Sequence, residues 1–487
     1  MKLSSEIRLF LKAARHSRPP RGYFVVLVLV FSAVFLTLVV TLAGYVFEQK
    51  KLQLAEENRQ KAVNVAEAGL EYYRWHLAHF PNDLEDGTGG AGPYAHTVAD
   101  AEGGALGTFS LSVNGDTYCG ALTDVTITST GTSAADPTFP RTLLAKYARP
   151  SVGDYSYIVN SNVWAGADRV ISGPYLSNGG VRMDGTHNST VSSGVSTWLC
   201  TSDFGCSSNQ TKPGVFGAGG PQSLWQYPVA PVDFGAISVD LSALKGYAQS
   251  SGVYLPPSNK YGYKIVFNAD GSFDSYVVTG TQTIWGYSSQ NGWKQENSII
   301  TKTDSAVHHA IPPGCPVVFV EDNTWVSGVV SGKVTFASAN VSGGADRNVF
   351  LNGNLTYAHA SGDGVTVIGQ GTVLISLDSP DTMALHGIFI AQDGWYGRNY
   401  YTSSGSYRVP QSLSSYVLRS TLDTYGSVIS NGRTGTKWTD GNGNFISGYS
   451  QRNDSYDRAL AAAPPPFTPE TSDDYQFTLW QDETSPF

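Results

Sequence analysis

The segment from Gly22 to Phe47, GYFVVLVLVFSAVFLTLVVTLAGYVF, contains no charged residue. At 1.5 Å per residue, its about 26 positions make a helix of roughly 39 Å. The hydrocarbon core of a bilayer needs roughly 20 apolar residues, so this run is long enough to cross one. Ser32, Thr37 and Thr41 interrupt the apolar character, and each hydroxyl can bond back to its own helix. A helix buried in a protein core is the alternative, but such helices are usually shorter and keep a polar edge. Whatever else the chain builds must hang from this span.

The flanks give it a direction. Residues 1–21 carry Lys2, Arg8, Lys12, Arg15, Arg18 and Arg21 against one acid, Glu6, whereas mixed charges (Glu48, Lys50, Lys51) follow the run. Excess positive charge stays on the cytoplasmic side. The N-terminus is therefore expected in the cytoplasm, and residues 48–487 in the periplasm or outside the cell. A secretory signal peptide would have a shorter apolar core and a small-residue cleavage site after it. This core is longer and no A-x-A pattern follows, so a single-pass anchor is expected.

No Pro or turn signal separates the span from EQKKLQLAEENRQKAVNVAEAGLEYYRWHLAHF. Leu54, Ala55, Asn58, Ala62, Val65, Ala66, Gly69, Leu70, Tyr73 and Leu77 recur at spacings of three and four, which is one helix face. Pro81 cannot continue the hydrogen-bond ladder. One helix is expected from Gly22 to His79, apolar all round at first and then amphipathic, with a second half that must dock on something.

Two stretches carry a family resemblance. Arg21-Gly22-Tyr23-Phe24, a basic residue, a glycine and an aromatic opening to an apolar helix, resembles a prepilin processing site. That resemblance implies cleavage after Gly22 and a mature N-terminus at Tyr23. The fifth mature position is Leu27, where most type IV pilins carry Glu; some minor pilins and pseudopilins lack that Glu as well. Further on, Ala62-Val63-Asn64-Val65-Ala66-Glu67-Ala68-Gly69-Leu70 is similar to the A-x-x-A-E-x-G-L pattern of type IV pilus minor pilins of the PilX kind. The small residues Ala62, Ala66 and Gly69 would let another surface approach closely. The resemblance covers about residues 20–80 and is weaker to 150. It implies partners among other pilin-like subunits through the N-terminal helix, and the lipid bilayer.

The fold class expected is mainly β with a long N-terminal α-helix. Residues 1–22 form a basic leader and 23–80 the helix. Residues 81–150 read as a small antiparallel meander, with strands at Gly107–Val113, Asp124–Thr130 and Thr142–Tyr147. Gly115-Asp116 and Gly131-Thr132 read as turns. From 151 onward Gly, Ser, Thr, Asn and Tyr dominate and short β-branched runs recur between Gly, Asn or Asp corners. A β-sandwich or a parallel β-solenoid fits; corners every few residues favour the solenoid, which glycine and asparagine permit through positive φ. Its parts are 151–235, a small α+β insertion at 236–315, and 316–450. In the insertion Asp240 caps a short helix, and Asn268-Ala-Asp-Gly-Ser marks a hairpin. Residues 451–487 are Pro-rich and then acidic, a strap or a loose tail.

Chemistry is sparse. Four cysteines outside a membrane suggest disulfides. Cys200 and Cys206 enclose a short polar loop and are the natural pair; Cys119 with Cys315 is the pair that remains. No zinc spacing is present, and His308-His309 reads as surface loop. Asp440-Gly-Asn442-Gly-Asn444 resembles half a calcium loop but has Phe445 at the required glycine and Gln451 at the bidentate acid. Asp378, Asp381, His386, Asp393 and Arg398 lie close in sequence and could serve glycan cleavage if they converged, or could simply be corners. A net charge of −9 argues against nucleic-acid binding. No enzyme and no cofactor is expected. The expected role is assembly into a type IV pilus or pseudopilus with display of the β domain for adhesion or at a tip. The alternative is an anchored protein that binds or cleaves a surface glycan.

Overall fold

The computed structural model describes residues 21–80, 83–235, 240–472 and 474–483, with the side chain of Arg21 excepted. The leader residues 1–20 and the helix stop at Pro81-Asn82 lie outside them. Helix α1 runs without a break from Arg21 to His79, 59 residues and about 88 Å. Its first half is exposed on every side from Tyr23 to Phe47; it is long and apolar enough to cross a membrane, and no part of it is buried in the chain. Thr37 and Thr41 donate their hydroxyls to the carbonyls of Val34 and Thr37, so neither polar group needs water.

The second half of α1 lies on an antiparallel sheet of β1 (Tyr94–Ala99), β2 (Ala105–Tyr118), β3 (Ala121–Ser133), β4 (Arg141–Ala148) and a C-terminal strand, Gln476–Asp482. Val65, Leu70, Tyr73 and Leu77 of the helix share a core with Phe109, Leu111, Ile127, Leu143 and Tyr147. Two features differ from the expected three-stranded meander. An extra strand stands on each edge, β1 beside β2 and Gln476–Asp482 beside β4. The turns also move. Gly115 lies inside β2, and the chain reverses at Cys119-Gly120, both at positive φ. Gly131 lies inside β3, where it answers to the helix and not to a turn.

The rest is a large, mostly β domain in which most strands pair in parallel along two ladders, with antiparallel hairpins beside them. From Val253–Leu255 the ladder passes to Val317–Val320, Lys333–Ser338, Gly364–Gly369, Thr382–Ala391 and Leu418–Ser430. It then continues to Tyr157–Val159, Tyr175–Ser177, Val191–Ser193 and Trp225–Gln226. A second parallel ladder joins Gly262–Phe267, Thr324–Val330, Val349–Tyr357, Val373–Ile375 and Tyr396–Gly397. Between the ladders lies a core of Val, Ile, Leu and Phe side chains. The order along the stack is not the order of the chain. Residues 157–226 stack beyond 418–430, and the chain then returns to the opposite end at helix α2 (Leu241–Ser250).

Within 236–315, Asp240 caps α2 by accepting from the amides of Ser242 and Ala243, and Leu241, Leu244 and Ala248 are buried. The hairpin turns at Asn268–Ser272, with Gly271 at positive φ. Its second strand, Ser272–Ser288, pairs onward with Gly292–Thr303. The segment 451–487 returns to the first sheet through Gln476–Asp482, and Arg141 donates to Asp482 at 2.5 Å. Strand Phe445–Ser455 crosses the boundary expected at 450. The Cys119–Cys315 disulfide joins the β2–β3 turn to the large domain, 196 residues away.

Candidate functional site

The seam between α1 and its sheet follows from two periodicities. On the helix, spacings of three and four bring Ala62, Ala66, Gly69 and Leu70 to one buried face. On β3, alternate residues point inward, and the inward set ends in Ser129, Gly131 and Ser133. Small residues therefore oppose small residues, and the backbones come close. A methyl group on Gly69 would lie 2.9 Å from ring carbons of Phe109 and nearer still to the Ser129 hydroxyl. One on Gly131 would run into the backbone of Ala62 and Ala66. The small-residue motif is thus packed inside this chain; Glu67 of the same motif is exposed.

Beyond the seam, polar contacts tie the end of α1 to the next loop. His76 Nε2 lies 3.0 Å from Asp83 Oδ2, and the Tyr73 hydroxyl donates to the Asp83 carbonyl. The Asp83 carboxylate also accepts from the amides of Glu85 and Gly87. Those amides, Glu85 first, together with His76 hold its pKa below the ordinary carboxylate range. At the other end of α1, Gly22 and Tyr23 occupy the first turn, and Tyr23 is exposed.

Most of the remaining candidates are engaged locally. Arg398 is buried and donates to the carbonyls of Leu377, Tyr416 and Val417. Ser420 donates to Asp381, and His386 packs edge-on against Tyr357 and Tyr425. Burial pushes the Asp378 carboxyl up to about 6 and also raises Asp393. The Asp440 carboxylate accepts from the amides of Asn442 and Asn444 and from the Asn444 side chain, so it is spent on its own turn. His308 contacts Asp274, and His309 contacts Ser275. Among the described residues no group of three or more His, Cys, Asp or Glu is placed to hold a metal ion. Cys200 and Cys206 are disulfide-bonded.

Sequence reasoning missed a cleft of about 960 Å³ in the large domain. Arg452 Nη2 donates to both Asp168 oxygens at 2.9 Å, and Lys437 donates to the same carboxylate at 3.0 Å. Arg169 pairs with Asp454, whose other oxygen accepts from the Tyr157 hydroxyl at 2.6 Å. Ser202, Asp203 and Gly205 of the Cys200–Cys206 loop form one lip. These groups stand up to 297 positions apart in sequence. The only local signals were the aromatic-rich stretches WGYSSQNGW at 285–293 and WYGRNYY at 395–401.

No family model and no curated protein matches this chain. Among solved structures, the competence-associated pilin ComZ from Thermus thermophilus is similar at 13% sequence identity, over 88% of this chain and 97% of that one, with a TM-score of 0.28.

Proposed function

We propose that this chain is a membrane-anchored, pilin-like subunit of a type IV pilus or pseudopilus, of the PilX kind. In this reading it holds a large β domain away from the membrane as an adhesive or tip-forming head. The observation that carries the proposal is the single helix α1, naked and apolar over one half and packed on an antiparallel sheet over the other. The naked half needs a bilayer or the apolar helices of neighbouring subunits to cover it. The basic leader favours a cytoplasmic N-terminus, and Gly22-Tyr23 is the bond a prepilin peptidase would cut. The successive parallel pairings support a β-solenoid as the form of the head. In the cleft Asp168 pairs with Arg452 and Lys437, and Asp454 with Arg169, which favours a binding role over catalysis. Cell fractionation with N-terminal sequencing tests the proposal. Membrane-bound or pilus-associated protein beginning at Tyr23 is expected; protein that stays soluble at full length overturns it.

A further inference from the structure

We propose that the cleft of the large domain binds a saccharide chain. The inference rests on reading that domain as a presented head, and it names what the head would grip. The cleft's volume, about 960 Å³, falls at the upper end of sites that enclose small ligands, about 300–1,000 Å³.

One wall is aromatic. Tyr287 and Trp438 meet edge to face at 5.8 Å, and Tyr400 lies 5.9 Å from Trp438. The row continues outward along the hairpin through Trp293, which stacks on Tyr407 at 4.5 Å. Core aromatics would be covered, yet all of these are partly open to solvent, Tyr407 at 40%. On another side stands Trp164, 38% exposed. Its ring is held by a hydrogen bond from Nε1 to Asp184 at 2.8 Å and by the Arg182 guanidinium over its face at 4.5 Å. The Trp438 ring is held by a hydrogen bond from Nε1 to the Arg398 carbonyl. Rings fixed before a ligand arrives lose little entropy on binding.

The rest of the lining is polar, and its two inner carboxylates are paired. Asp168 sits between Arg452 and Lys437, and Asp454 beside Arg169. The lip formed by the disulfide-closed loop is pinned where Arg433 donates to the Asp203 carbonyl and lies over the Phe204 ring at 4.4 Å. Asn399 adds an unsatisfied group. It is 8% exposed, its amide donates to Glu296, and its side-chain oxygen accepts no hydrogen bond among the described residues.

A ligand for this surface needs flat apolar faces for the rings and many hydroxyls for the paired ions. A pyranose supplies both: C–H groups on its faces, and hydroxyls at its rim that donate and accept. The lining carries five cations (Arg169, Arg398, Arg433, Lys437, Arg452) against four carboxylates (Asp168, Asp203, Asp440, Asp454), an excess of one, so a polyphosphate backbone would gain little of the electrostatic term that dominates its binding. A purely apolar ligand would leave the ionic floor unsolvated.

The test uses the full chain in detergent on an array of neutral and uronate-containing oligosaccharides, with single-stranded oligonucleotides beside them. The best-retained oligosaccharide is then titrated by tryptophan fluorescence and calorimetry. Retention of a saccharide is expected, with at least a tenfold loss of affinity in Trp438→Ala and in Trp164→Ala at unchanged melting temperature. Trp164 lies on an exposed lip, so its variant keeps the test decisive if Trp438→Ala misfolds. Three outcomes overturn the inference: no saccharide held above background, equal affinity in a folded variant, or retention of the oligonucleotides alone. Membrane fractionation of the same protein separates the two proposals. A chain that pellets with membranes but holds no saccharide refutes the cleft, and one that holds saccharide but is released refutes the anchor.

Discussion

Gly69 is the position where two physical arguments give opposite signs. In an exposed helix, Gly→Ala stabilises by about 1 kcal/mol through helix propensity. At the seam a Cβ would sit 2.9 Å from the Phe109 ring, well inside the roughly 3.5–4.0 Å optimum for carbon contacts. The ring has little room to retreat. Phe109 is 4% exposed and lies between Tyr72 at 5.8 Å and His96 at 5.3 Å. Overpacking of this kind costs about 1–3 kcal/mol. Offsetting the propensity gain leaves Gly69→Ala destabilised by about 0–2 kcal/mol. Gly69→Leu adds three more carbons at the same place and should lie beyond that, at about 2–3 kcal/mol. The order of stability is therefore wild type, then Ala, then Leu. A chain with several cooperative units gives no single unfolding energy, so thermal melts should be joined by hydrogen exchange at the β3 amides of residues 127–131. Ser129→Ala supplies the internal control. Its hydroxyl is the group nearest the new methyl and has no hydrogen-bond partner among the described residues. The pair should couple by about 0.5–3 kcal/mol in a double-mutant cycle. If both Gly69 variants melt at or above wild type with unchanged exchange, the seam is not packed within the subunit and the argument fails.

Other expectations follow from single contacts. Leu70 is buried against the sheet, so Leu70→Ala should destabilise by about 2–5 kcal/mol; a melt indistinguishable from wild type would contradict the burial. The Cys119–Cys315 bond closes 196 residues and the Cys200–Cys206 bond six. On loop entropy these contribute roughly 5 and 2 kcal/mol, so replacing the first pair by Ser should lower the denaturation midpoint further than replacing the second. The reverse order would show that the short bridge matters for another reason. Burial raises the Asp378 carboxyl to about 6 in the folded state, above the ordinary value near 4 for an exposed Asp. Between those values the folded form binds more proton than the unfolded one, so this group's contribution to stability is lost as pH rises through 6. Asp378→Asn should therefore gain on wild type between pH 4 and pH 7, and denaturation curves that stay parallel across that range would refute it.

Local signals were legible in the amino-acid order. The membrane-length span needed only a charge-free run from Gly22 to Phe47, and its continuation to His79 only spacing and the absence of Pro. The Asp240 cap and the turn at Asn268–Ser272 depend on residues within a few positions of each other, and both form where that chemistry puts them. Glycine was read less well, because it has two uses. Gly131 looks like a turn residue in the sequence, but it has no positive φ, and it is small because helix backbone at Ala62 and Ala66 presses on it. Only tertiary structure decided the partners. A period-2 pattern says which face of a strand is buried and nothing about which strand lies beside it. Leu418–Ser430 could not announce Tyr157–Val159 as its neighbour, nor β4 the strand Gln476–Asp482. The cleft is the result of that placement. Asp168 meets Arg452 and Lys437 because strands near residues 157–171 pair in parallel with strands Leu418–Ser430 and Phe445–Ser455, and a charge pair 284 residues apart leaves no mark in either local sequence.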